Sequence, residues 1–97
     1  MANNIFEQFD EAYSRWSILD KVGKEMQLDS MWQQLCATYN NIILVWQSRG
    51  YLTVDEYKYK NQIYDLLIGL NNQKMIVDKQ LSDEMMKHLV KMIVKQK

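Results

Sequence analysis

No proline occurs in the 97 residues, and glycine occurs only three times. These two residues interrupt a helix most strongly, by about 3 and about 1 kcal/mol relative to alanine. A chain nearly free of both can run in long helices, broken only where a glycine or a capping side chain stands. The apolar pattern asks for the same. Ile5, Phe9, Ala12, Trp16 and Leu19 recur at steps of four and three, flanked by Phe6 and Tyr13. That spacing predicts a first amphipathic helix over 4–22, with either Gly23 ending it or the helix running on towards Met26.

Ser30 and Gln33 fit a capping box, which predicts a second helix over 30–49. Trp32, Leu35, Cys36, Tyr39, Ile43 and Trp46 would share its core face, and Gly50 suits the left-handed position that closes it. Thr53-Val54-Asp55-Glu56 is a second capping box. There the Thr53 hydroxyl can accept from the Glu56 N–H, and the Glu56 carboxylate from the Thr53 N–H. A third helix is expected over 53–71, with Leu52 and Tyr57 as a hydrophobic staple and Tyr59, Ile63, Leu66, Leu67 and Leu70 facing the core. A fourth is expected over 82–96, with Leu81, Met85, Met86, Leu89, Met92 and Ile93 on one face. Residues 73–80 read equally as an extended connector or a short helix. The expected fold is all-α: a small antiparallel bundle of four helices, one domain spanning residues 1–97.

Composition narrows the class further. With 47% hydrophobic and 11% aromatic residues, the chain can supply a core, which argues against disorder. One cysteine cannot build a disulfide framework, so packing must hold the fold, in a reducing compartment. The opening residues lack the basic and apolar regions of a secretory leader, and the longest apolar run, Ile42–Trp46, falls far short of the ~20 residues of a membrane span. The expectation is a cytoplasmic protein with no membrane partner. The abundance of Asn, Lys, Ile and Tyr implies codons rich in A and T, pointing to a low-GC bacterium, a phage or a plasmid.

The formal net charge is zero. A dedicated duplex-DNA binder needs an excess of lysine and arginine to displace counterions, so that class is disfavoured. The zero is a cancellation. Residues 1–29 carry six acids against three bases, a net of −3, and residues 72–97 carry six lysines against three acids, a net of +3. In an up-down order the first and last helices would be neighbours and attract along their edges.

Gly50-Tyr51-Leu52-Thr53-Val54-Asp55-Glu56-Tyr57, with Lys60 and Leu66-Leu67 beyond, resembles the short helical hairpin called SHOCT. The family pattern is an apolar helix, then G-x-[IL]-T-x-[ED]-E-[FY], then a lysine and a Leu-Leu pair. The resemblance covers residues 42–67. It implies a hairpin used in oligomerisation or attachment to partners, without catalysis. The length and helical reading also resemble the WXG100 secretion substrates, which place Trp-x-Gly at a hairpin tip. Here the tip, Trp46-Gln47-Ser48-Arg49-Gly50, is two residues longer.

Catalytic chemistry finds little support. Cys36 lies on an apolar face, and a nucleophilic thiolate needs an electropositive setting and a base. His88 is the only histidine, and the di-metal helical pattern needs two Glu-x-x-His pairs. The acidic doublets Asp10-Glu11, Asp55-Glu56 and Asp83-Glu84 diverge on a helix. No enzyme activity, cofactor, metal or small-molecule substrate is expected.

Binding surfaces are better supported. Lys87, Lys91 and Lys95 form a stripe at successive i+4 steps, suited to a solvated face, an acidic partner or nucleic acid. Tyr57-Lys58-Tyr59-Lys60 interleaves aromatics and bases as single-strand binders do. Tyr57, Tyr64 and Ile68 fall on a stripe more than 90° from the third helix's core face, and Leu44 lies on the far side of its helix from Trp46. A second apolar stripe asks for burial against something else, either within the chain or on a partner. The expectation is a non-enzymatic protein-interaction module, a small regulator or inhibitor that binds a larger protein or homodimerises. Its contact residues would be Leu44, Tyr57, Tyr64 and Ile68, with Arg49 and Tyr51 at the hairpin tip. The alternatives are a nucleic-acid-associated protein using the basic last helix and a secreted hairpin of the WXG100 kind.

Overall fold

Four helices form within residues 5–92, the part of the chain that the computed structural model describes. They are α1 (Ile5–Ser17), α2 (Lys21–Arg49), α3 (Val54–Asn72) and α4 (Lys79–Lys91). The described residues are therefore all-helical apart from the short connections. The expected start at residue 4, the expected end at 96, and Ile93 and Lys95 lie outside them.

The first break falls earlier than the glycine pattern predicts. α1 stops at Ser17, and Asp20 opens α2 by accepting the Gly23 N–H at 2.7 Å. Gly23 thus sits in the first turn of α2 instead of closing α1. A Cβ there would stand 3.2 Å from Asp20 Oδ1 and 3.3 Å from the Leu19 side chain, so the position favours a bare backbone. Trp16 seals the corner. Its indole N–H reaches the Lys24 carbonyl at 3.4 Å, and the Lys24 ammonium lies 4.9 Å from its ring. With the cap already made at Asp20, the Ser30 box goes unused and Ser30 lies mid-helix. The single helix runs through 29 residues instead of starting at 30.

At about 1.5 Å per residue this helix is about 43 Å long. That matches the longest dimension of a molecule measuring 43 × 35 × 17 Å. α1 lies against α2, α2 against α3 and α3 against α4. The close pairing of α1 with α4 expected from the charge gradient is not among these principal contacts. The two ion pairs among the described residues, Arg49–Glu56 and Lys79–Asp83, do not join those two helices either.

The α2–α3 corner follows the sequence closely. Gly50 takes φ 80°, and its N–H returns to the Trp46 carbonyl at 2.7 Å. Both halves of the Thr53/Glu56 capping box form, and Leu52 is fully buried ahead of them. After Asn72 the chain turns through Lys74, whose φ of 58° is left-handed, and Met75 N–H closes onto the Leu70 carbonyl at 2.8 Å. Asp78 then caps α4 through the Leu81 N–H at 3.0 Å, so α4 begins before Ser82, which is buried within it.

One core joins the four helices. Phe9, Leu35, Ile42, Ile63, Leu67, Leu70, Met85 and Leu89 are fully enclosed. Phe6 stacks on Tyr59 at 5.0 Å and Phe9 meets the same ring edge-on at 6.4 Å, tying α1 to α3. Trp46, expected in the core, is only half-buried. Its truncation therefore removes less than the roughly 3–5 kcal/mol of a fully buried tryptophan.

Candidate interaction surface

Leu44 projects from α2 with 64% of its surface exposed, and Val45, Ser48 and Arg49 line the same shallow depression. The side chain stands 200° from Trp46 by helical geometry, so packing on one excludes the other. Arg49, at the end of α2, pairs with Glu56 at the start of α3, and its guanidinium carbon lies 5.0 Å from the Tyr51 ring. These contacts link the end of α2 to the start of α3. Burial alone would raise the Glu56 pKa, but the Thr53 hydrogen bonds and the Arg49 guanidinium outweigh it and hold the carboxyl below its ordinary value.

The three α3 residues of the expected second stripe behave differently from Leu44. Tyr57, Tyr64 and Ile68 are each half-buried, and Tyr64 packs against the core. α3 touches α1, α2 and α4, so neighbours within the chain take up part of this stripe. The interleaved Tyr57–Lys60 segment also turns inward. Lys60 is only 8% exposed, with its ammonium 4.8 Å from the Tyr57 ring, while Tyr59 stacks on Phe6. Lys58 alone of its two lysines stands in solvent.

On α4, Lys87 and Lys91 are both exposed and border an apolar depression formed by Met86 and Val90. Lys95, the third lysine of the stripe, lies outside the described residues.

One contact had no sequence signal. Tyr39 on α2 and His88 on α4, separated by 49 positions, place the hydroxyl 2.7 Å from Nδ1. Burial, and then the charge of Glu84, push the Tyr39 phenol up, so it keeps its proton. Which of the two groups donates follows the tautomer of the imidazole. The pair lines a cavity of about 290 Å³ together with Ile43, Trp46, Lys91 and Met92. A raised phenol pKa is the wrong direction for a nucleophile, so the geometry acts as an interhelical tie. Cys36 is similar: burial, then Asp78, push its thiol up, away from a reactive thiolate.

Among the described residues, no three of His, Cys, Asp and Glu gather where they could hold a metal ion, and no helix is long and apolar enough to cross a membrane. Comparison with protein-family models, with curated proteins and with solved structures returns no match.

Proposed function

We propose that this chain is a non-enzymatic, cytoplasmic interaction module, a small regulator or inhibitor that binds another protein through its helix faces. Its residues 1–97 act as one domain, with the helices in an antiparallel bundle. The observation that carries the reading is Leu44, a large aliphatic side chain 64% exposed beside a capped, ion-paired helical corner. Isolated exposed aliphatics are ordinary on a protein surface. Here Val45 and Arg49 line the same depression, next to the capped corner. The same corner lies in the segment that resembles the SHOCT hairpin, whose implied role is attachment to partners. Half-buried Tyr57, Tyr64 and Ile68 on α3 are further candidate contacts.

The test is capture of the bound protein from the native host by tagged wild type and by Leu44→Asp. Leu44 is exposed, so the variant is expected to keep the wild-type helical circular dichroism and to lose the partner. Equal capture by both proteins would remove this surface from consideration.

A further inference from the structure

Two other apolar stripes remain open, and their borders carry opposite charge. Ile18 is 84% exposed, Val22 65% and Met26 77%. Val22 and Met26 share one face in the first turns of α2, and Ile18 stands in the connection just ahead of them. By helical geometry Glu25 and Asp29 fall within about 60° of Val22, while Lys21 lies on the outer flank, about 100° away. Both acids are exposed. On α4, Val90 is 62% exposed, and it shares a depression with half-buried Met86, Lys87 and Lys91. Asp83, on the same side of α4, is held by Lys79 at 3.3 Å, and Glu84 lies near enough to Tyr39 to act on its phenol. Lys79, Lys87 and Lys91 outnumber Asp83 and Glu84 on that side of α4, so the border is net basic.

The two stripes cannot meet within one chain. Lys91 shares a cavity with Trp46, and Val22 stands 24 residues away from Trp46 along the same straight helix, about 36 Å. An apolar stripe edged with acids at one end and one edged with lysines at the other are complementary in the way a head-to-tail contact requires.

We propose that the Ile18–Val22–Met26 stripe of one copy seats against Met86 and Val90 of the next, with Glu25 and Asp29 facing Lys87 and Lys91. The proposal rests on the reading of the chain as an interaction module, but uses residues apart from the Leu44 surface. Patches of this size fall short of the roughly 1,000 Å² of a stable interface, so the association is weak and depends on concentration.

The experiment is light scattering or sedimentation of the full chain over a concentration series, at about 50 mM and about 500 mM salt. Wild type is expected to gain average mass with concentration at low salt and to lose it at high salt. Lys87→Glu/Lys91→Glu and Glu25→Lys/Asp29→Lys each bring like charges together, weakening association at least about tenfold. An equimolar mixture of the two variants pairs opposite charges again and is expected to recover the mass. A wild type that stays monomeric throughout the low-salt series, or a mixture that fails to recover, overturns the proposal. If the chain stays monomeric while Leu44-dependent capture persists, self-association fails and the interaction reading survives. If mass rises while Leu44→Asp captures as wild type does, the reverse holds.

Discussion

Glu56 shows how much one carboxylate can organise. Its Oε1 accepts from the Thr53 N–H at 2.9 Å and from Arg49, while its own N–H donates to the Thr53 hydroxyl at 3.3 Å. The lowered pKa means that the folded state binds this proton less readily than the unfolded chain does. Stability therefore rises with pH across the window between the two values, is complete above the ordinary carboxylate value, and is lost as pH falls through the folded one. Glu56→Gln is expected to flatten that part of the acid dependence, measured as chemical-denaturation midpoints from neutral pH down into the acid range. An unchanged slope would mean that Arg49 and Thr53 do not favour the charged form. The capping box was legible because its partners lie three residues apart. Arg49 reaches Glu56 from seven residues away around a glycine turn, and only the turn's geometry brings it there. Tyr39 and His88, 49 positions apart, left no trace in the sequence.

At the scale of elements, α3 follows the sequence reading to within a residue, whereas the α1–α2 break does not. The two capping-box sequences offer the same local chemistry, but a box starts a helix only where the chain is not already helical. Asp20 interrupts the chain ten residues before Ser30, so Ser30 meets a helix already running. Gly23 was misleading for a related reason: its lack of a side chain serves the close approach of Asp20 and Leu19, and its backbone stays helical. The α3–α4 connection holds a residue that fits poorly. Lys74 adopts φ 58° with an ordinary side chain, a conformation that favours glycine. Lys74→Gly is expected to raise stability by about 0.5–1 kcal/mol, read from urea denaturation. A loss of stability would show that the lysine side chain contributes more than the backbone strain costs.

The whole molecule is flattened, 43 × 35 × 17 Å, with α3 in contact with the three other helices. Fully enclosed side chains concentrate at the middle of α2 (Leu35, Ile42) and along α3 (Ile63, Leu67, Leu70), whereas α1 encloses only Phe9 to that degree. Amide hydrogen exchange is expected to be slowest in those stretches of α2 and α3 and faster in α1. Protection in α1 equal to that of α3 would contradict it. The sequence alone determined the helical class, the limits of α3, the aromatic supply of the core and the opposite charge of the two ends. Those properties come from backbone propensity, caps and residue spacing, which act over a few residues. Only the tertiary structure decided which apolar side chains are left over. Tyr64 was drawn against the core while Leu44, Ile18, Val22, Met26 and Val90 stayed in solvent. That outcome depends on which helices pack together and at what angle, and residues far apart in the chain settle it jointly.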